Sequence, residues 1–254
     1  MKQLKFIGII PARYASTRFP GKPLADLCGK PVIKHVYERA SEILDNVAVA
    51  TDDDRIFDAV KAFGGNAVMT RNDHPSGTDR IDEAFSLLNS DADVVINIQG
   101  DEPFIKPEQI RLLMDAFGDD ATDIATLACP FNKESGFETL ADPNLVKVTF
   151  ADNGKALYFS RSVIPYVRGV KTDKWLETTD FFTHIGVYAY RASVLKAITK
   201  LKQSSLEKAE SLEQLRWLQN GLNIKVCVTD SKSVGIDTPD DLENARNILK
   251  MNSK

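Results

Sequence analysis

Short apolar runs alternate with helical patterns along the first half of the chain. The apolar runs have the length of buried strands, and the segments between them carry apolar residues at helical spacing. The predicted elements are strands over 6–10, 47–50, 67–69 and 94–98, and helices over 32–44, 55–63, 79–88 and from 107 onward. Because strands that alternate with helices form parallel sheets covered on both faces, this order predicts a doubly wound, mostly parallel α/β sheet.

The pattern changes after residue 145, where strands follow one another with few helices between them. The predicted elements of this part are strands over 145–151, 156–160, 185–190 and 224–228, and helices over 206–218 and 239–250. We therefore predict one domain over residues 1–254 that contains an antiparallel insertion over 145–205. The segment 168–182 is polar and aperiodic, which predicts a mobile segment.

Composition places the chain among ordinary globular proteins and excludes several partners. Of its 254 residues, 43% are hydrophobic and 27% charged, and the net charge is -4. A negative net charge argues against nucleic acid, because a phosphate backbone attracts a basic surface. No apolar run reaches the roughly 20 residues that cross a bilayer, so no membrane insertion is expected. Three widely spaced cysteines form no CxxC pair, which indicates reduced thiols and a cytoplasmic location.

The richest segment for chemistry is the first loop, residues 11–23 (PARYASTRFPGKP), which follows the first predicted strand. It carries three cations, two hydroxyls and a glycine: Arg13, Arg18, Lys22, Ser16, Thr17 and Gly21. Arginine forks onto phosphate oxygens and lysine supplies a point charge, so this pattern predicts a polyphosphate site. It is neither a Walker loop nor a GxGxxG motif. A solvated basic loop is the alternative.

Two aspartates stand where a metal ion would be held. Asp101 directly follows the strand VVINI, and Asp237 lies in GIDTP, before the last helix. Magnesium in proteins takes one or two carboxylates together with phosphate oxygens, and nucleotidyl transfer requires such charge neutralisation. Either residue could instead shape its turn. Glu102 is interpreted as structural.

The run Asp52–Asp54 has two readings. A D-x-D sequence after a strand is a metal motif of nucleotide-sugar glycosyltransferases. Acids that directly precede a helix also cap its free N–H groups and favour its positive dipole end. Capping is the preferred interpretation.

The segment IIPARYASTRFPGKPL closely resembles the N-terminal signature of the 3-deoxy-manno-octulosonate cytidylyltransferase (CMP-Kdo synthetase) family. Further matching segments follow in family order: VATDDDRI, MTRNDHPSGTDRI, VINIQGDEPFI, VKVTF, ALYFSR, HIGVYAYR, LEQLR and GIDTPDDLE. The resemblance covers essentially the whole chain. It implies transfer from CTP to 3-deoxy-D-manno-octulosonate (Kdo), with CMP-Kdo and pyrophosphate as products, for lipopolysaccharide biosynthesis. Alternatives are a related acidic sugar, sialic-type or 8-amino-Kdo, and more remotely a D-x-D glycosyltransferase.

The same resemblance implies roles for individual residues, Mg²⁺ as cofactor and a homodimer. Nucleotide binding is expected of Arg13, Ser16, Arg18, Lys22, Arg71, Ser76, Gly77 and Gln99. Catalysis is expected of Arg18, Lys22, Asp101 and Asp237, and metal binding of Asp101 and Asp237. Sugar binding is expected of Arg161, His184, Tyr188, Glu213 and Gln214. Spacing adds that His184 and Tyr188 share one strand face. His74 is interpreted as part of a polar helix entry.

Overall fold

A computed structural model gives the architecture and describes residues 3–16, 18–231 and 235–252. Thr17, one of the two hydroxyl residues of the first loop, lies outside the described residues. Within the described part of the chain, no helix has the length and apolar character that crossing a membrane requires.

The helices and strands follow the predicted order closely. The strands are β1 (Phe6–Ala12), β2 (Asp26–Leu27), β3 (Lys30–Pro31), β4 (Val47–Thr51), β5 (Ala67–Met69), β6 (Val94–Asn97), β7 (Ile124–Pro130), β8 (Lys147–Phe150), β9 (Ala156–Ser160), β10 (Phe182–Arg191) and β11 (Ile224–Val228). The α-helices are α1 (Val32–Ser41), α2 (Asp54–Ala62), α3 (Gly77–Leu87), α4 (Pro107–Asp115), α5 (Gly136–Ala141), α6 (Trp175–Thr178), α7 (Ala192–Ile198), α8 (Ser205–Glu210), α9 (Gln214–Gln219) and α10 (Pro239–Asn252).

The chain divides into two compact units. The first comprises Met1–Arg111, Ala189–Thr199 and Ser233–Lys254. Its strands β6, β1, β4 and β5 are neighbours in that order and pair in parallel. All residues of β4 and β6 are buried, as expected for central strands of a parallel sheet. Because the strands are parallel, the loops that follow β1, β4 and β6 leave the sheet at one edge.

The second unit comprises Leu112–Tyr188 and Lys200–Lys232 and contains both parallel and antiparallel pairs. Strand β11 pairs with β7 in parallel, whereas β8 pairs antiparallel with both β9 and β10. The prediction of a mostly parallel sheet with a small antiparallel part is confirmed.

Two sequence expectations in this unit need correction. The helix predicted over 206–218 is two helices, α8 and α9, because Ser211 adopts a left-handed conformation with φ 52°. Apolar spacing continues across the break, with Leu212 and Leu215 both buried, so periodicity alone does not reveal it. The segment predicted to be mobile is packed: it contains α6 and buries Trp175 and Phe181 in one apolar cluster.

Candidate active site

The first loop is shaped around Tyr14. The Tyr14 carbonyl accepts hydrogen bonds from the N–H groups of Ser16 (3.0 Å) and Gly21 (2.8 Å), which closes the loop on itself. Gly21 has a φ of 73°, and a Cβ there would lie 3.0 Å from the Tyr14 ring, so both conformation and space require glycine. The Arg55 guanidinium covers the Tyr14 ring at 3.3 Å from its centroid. These contacts hold the backbone at Ser16 and Gly21 against Tyr14.

Lys22 lies between two carboxylates from distant parts of the sequence. Its Nζ donates to Asp101 and, at 3.1 Å, to Asp237, and Arg18 Nη2 lies 3.0 Å from the same Asp237 oxygen. Burial disfavours the charged lysine, but the two carboxylates outweigh it, and the pKa of Lys22 is raised above its usual 10.5. The convergence expected of the first loop, Asp101 and Asp237 is present.

A cavity of the first unit joins this cluster to other predicted nucleotide residues. Its wall includes Arg13, Ser16, Lys22, Gln99 and Asp101. Gly100 lets the chain after β6 pass close to the first loop, because a Cβ there would lie 2.8 Å from the Pro11 carbonyl oxygen. The site is therefore a cationic cavity with carboxylates at one side.

The two aspartates suit magnesium. Both offer hard oxygen ligands and both already face one cationic group, the Lys22 ammonium. Among the described residues, no group of three or more His, Cys, Asp or Glu side chains could hold a metal ion. A metal held by Asp101 and Asp237 would complete its shell with phosphate oxygens and water, which is how magnesium is usually bound.

The β5–α3 loop, residues 70–76, contains two of the predicted nucleotide-binding residues, Arg71 and Ser76. Ser76 caps α3, since its hydroxyl accepts a hydrogen bond from the Asp79 N–H. Gly77 begins the helix, and the Arg71 side chain is 67% exposed. Arg13 Nη2 donates to the His74 carbonyl at 2.8 Å, which connects the first loop to this one. His74 is buried against Glu83, as its interpretation as a structural residue expects.

Two of the three acids after β4, Asp52 and Asp53, have structural partners. Asp53 caps α2 by accepting from the Arg55 N–H at 3.0 Å, which confirms the capping interpretation for this residue. Asp52 instead pairs at 2.8 Å with Arg80, a fully buried residue that also donates to Thr70 Oγ1. Local sequence patterns do not reveal this ion pair, because its two partners lie 28 residues apart in the chain.

Replacing Asp54 with asparagine separates the two readings of the D-x-D sequence. Asp54 is exposed in the first turn of α2, so the change should alter stability by no more than about 0.5 kcal/mol. Nucleotidyl transfer, the activity that the sequence resemblance implies, should remain within about twofold of wild type when measured as pyrophosphate release, because so small a change in stability leaves the folded fraction almost unchanged. A loss of two orders of magnitude would support the metal-binding reading of these acids.

The predicted sugar residues lie in the second unit. His184 Nε2 is 3.0 Å from Thr126 Oγ1, and the His184 and Tyr188 rings have centroids 5.3 Å apart, as their even spacing predicted. Tyr188 also packs edge-on against Trp217 at 5.1 Å. These aromatic contacts hold the imidazole in one orientation.

Arg161 is oriented by carbonyl groups. Its guanidinium donates to the backbone carbonyl oxygens of Glu210, Pro143 and Ser211. The backbone N–H of Arg161 donates to the Glu210 carboxylate at 2.8 Å. Sequence reasoning missed Glu210, because contacts to backbone groups leave no spacing signal. Of the two predicted helix residues, Glu213 lies 3.1 Å from Arg216 and Gln214 is buried.

His184 should make stability depend on pH. Burial lowers its pKa from 6.5 to about 3, so the folded state stays neutral where the unfolded state takes up a proton. Stability should be complete above pH 6.5 and fall towards pH 3 by at most about 1.4 kcal/mol per pH unit. The residue as a whole is only half-buried, so this slope is an upper bound.

The measurement compares urea unfolding of the wild type and the His184→Gln variant from neutral pH to about pH 5. The variant should lose this part of the slope. Parallel curves for the two proteins would show that the imidazole is protonated equally in both states.

A mostly parallel sheet with helices, whose first loop places cations beside two aspartates, defines a nucleotidyltransferase. The model of a family described as "Cytidylyltransferase" matches residues 7–225. The 3-deoxy-manno-octulosonate cytidylyltransferase of Parabacteroides distasonis is 60% identical over 95% of this chain and 97% of its own. That of Phocaeicola vulgatus is 59% identical over 97% and 98%. The chain belongs to the cytidylyltransferase family, among the 3-deoxy-manno-octulosonate cytidylyltransferases.

Solved structures agree with this placement. The structure of a CMP:2-keto-3-deoxy-manno-octonic acid synthetase complexed with CTP matches with a TM-score of 0.89, 45% identity and coverage of 98% of this chain and 99% of that one. A putative glucose-1-phosphate thymidylyltransferase from Bacillus anthracis matches with a TM-score of 0.64 over 96% of this chain and 95% of that one. Its identity is 17%, so it supports the fold alone.

Proposed function

We propose that the enzyme transfers the cytidylyl group of CTP to the anomeric hydroxyl of Kdo and releases pyrophosphate. The names of its relatives and the CTP complex of a protein 45% identical to it support this reaction. The observation that carries the proposal is the position of Lys22 between Asp101 and Asp237, beside the cavity that Arg13 and Ser16 line. This arrangement suits a triphosphate that needs both cationic groups and a bound metal ion.

In the proposed reaction the anomeric oxygen attacks the α-phosphorus in line. The new P–O bond forms as the bond to the bridging oxygen of pyrophosphate breaks, and the hydroxyl proton is lost to solvent. Arg13, Arg18, Ser16 and Lys22 bind the triphosphate, and the cations stabilise the leaving pyrophosphate. Because the Tyr14 carbonyl holds the N–H groups of Ser16 and Gly21, the backbone at these two positions is fixed before the substrate binds, which reduces the reorganisation that binding requires.

Asp101 and Asp237 would hold Mg²⁺, whose chemistry is to neutralise charge on the triphosphate. Lys22 would then exchange its carboxylate contacts for phosphate oxygens. The base would be read by Arg71, Ser76, Gly77 and Gln99.

Recognition of the sugar acid is assigned to the second unit. Arg161 is the cation for the sugar carboxylate, and its guanidinium is already oriented by carbonyl groups. His184 stays neutral, so it serves the sugar as a hydrogen-bonding group and not as a charge. Tyr188, Glu213 and Gln214 complete the polar set for the hydroxyls.

A panel of sugar acids tests the function. Kdo, 8-amino-Kdo and a sialic acid are each supplied with CTP and Mg²⁺, and pyrophosphate release is scored. Kdo should give the highest kcat/KM. A higher kcat/KM for another acid would identify that acid as the substrate in place of Kdo. The absence of turnover with every acid would refute the proposal. Omitting Mg²⁺ should abolish turnover.

The enzyme is further proposed to act as a homodimer in the cytoplasm, in lipopolysaccharide biosynthesis. Two large hydrophobic residues of the 145–205 region are exposed, Leu157 by 61% and Tyr166 by 74%, which suits a subunit contact. Light scattering should give about twice the chain mass of 28.2 kDa, and Leu157→Glu should shift it towards the single chain. A wild-type mass of one chain would contradict the dimer.

A further inference from the structure

The β5–α3 loop is anchored at both ends by groups already described. At its start Thr70 is bonded to the Thr51 carbonyl through both its N–H and its hydroxyl, and at its end Ser76 caps α3. Between these points the chain is mostly exposed, with Arg71, Asn72 and Asp73 all on the surface. A loop that reads a base must nevertheless present its backbone groups in one fixed position.

Glu83 supplies the anchor in the middle of this loop. One oxygen of its carboxylate accepts from the Arg71 N–H at 2.9 Å and also contacts the His74 imidazole. The other oxygen lies 3.4 Å from Arg71 Nε. The Glu83 side chain is 24% exposed and that of His74 only 3%, so this contact is shielded from water. One carboxylate thus fixes the loop at two positions.

The contact extends to the first loop. The carbonyl of His74, the residue whose ring Glu83 holds, accepts the hydrogen bond from Arg13. A shift of His74 would therefore move the partner of Arg13 as well as the turn before Gly77. The contacts of the Glu83 carboxylate described above are all to groups of this loop. The spacing of these residues in the sequence does not predict them.

We infer that Glu83 is a positioning residue for nucleotide recognition: it holds the β5–α3 loop in the conformation that distinguishes cytosine from uracil and that orients Arg13. This inference rests on the proposed function. Cytosine presents an amino donor where uracil presents a carbonyl acceptor, so discrimination depends on where the loop places its own donors and acceptors. A displaced loop would lose that discrimination while the carboxylates near Lys22 stay in place.

The test compares Glu83→Gln with a matched control, Asp82→Asn. Asp82 is the neighbouring acid on α3, and its carboxylate accepts from the Thr199 hydroxyl, away from the loop. For Glu83→Gln the KM for CTP should rise about tenfold and the preference for CTP over UTP fall about tenfold, with kcat and the KM for Kdo nearly unchanged. The control should match wild type. Equal behaviour of the two variants, or a loss confined to kcat, would overturn the inference.

A local measurement makes the test independent of catalysis. Hydrogen exchange of the Arg71 amide, whose N–H donates to Glu83, should be at least about tenfold faster in Glu83→Gln than in Asp82→Asn, because this anchor is weakened. Unchanged exchange would overturn the inference even if KM moves. If wild type shows no turnover with CTP, the proposed function fails, whereas the exchange experiment still reports on the role of Glu83.

Discussion

Replacing Asp101 with asparagine is expected to lower kcat/KM by about two to three orders of magnitude, the usual effect of removing one preorganised charged group from an active site. Asp101 and Asp237 both contact Lys22, and asparagine keeps the shape of the side chain but removes its charge. A neutral amide is a poorer ligand for magnesium and no longer balances the lysine. Pyrophosphate release over a range of CTP concentrations, with Kdo saturating, gives kcat/KM for CTP and measures the effect.

The Lys22→Met/Asp101→Asn double variant sharpens this prediction. Residues that act as one unit are not additive, so the double variant should be little slower than the worse single variant. The exposed Asp45→Asn variant serves as the charge control and should retain full activity. Asp101→Asn activity within tenfold of wild type would remove Asp101 from the catalytic machinery.

Replacing Arg80 with methionine is expected to destabilise the first unit by about 3–5 kcal/mol, the usual effect of breaking a buried ion pair from one side. The Arg80 side chain is 0% exposed and that of Asp52 16%, so the carboxylate left behind cannot be fully hydrated. Thr70 Oγ1 also loses its donor, which lies at 2.6 Å. Urea unfolding measures the change as a lower midpoint at constant slope.

A double-mutant cycle isolates the pair. Adding Asp52→Asn to Arg80→Met removes the buried charge, so the double variant should recover part of the lost stability. Arg80 and Glu83 both lie on α3, but the two variants should differ in effect. Arg80→Met should act mainly on stability, whereas Glu83→Gln should act mainly on the KM for CTP. An Arg80→Met variant within about 1 kcal/mol of wild type would show that water replaces the guanidinium.

The order of the elements and the segments that carry chemistry could both be predicted from the amino-acid pattern. Apolar runs and helical spacing reveal burial directly, which is why β5, β9 and β11 agree with the predicted bounds to the residue. The Asp53 cap was predictable because a capping side chain bonds to backbone groups two or three residues away. The first loop stood out because its cations are close together in the chain.

Which of these segments meet follows from the folded chain and could not be predicted. Lys22 contacts partners that lie 79 and 215 residues away in the chain. The loops that carry Lys22 and Asp101 leave the same edge of the sheet because strands β6, β1, β4 and β5 are neighbours in that order. Local patterns do not encode this strand order. Sequence patterns also failed to predict the helix break at Ser211 and the contacts made by Glu83, Arg80 and Glu210. Periodicity reports which face of an element is buried, whereas a hydrogen bond between two elements depends on where the whole chain has placed them.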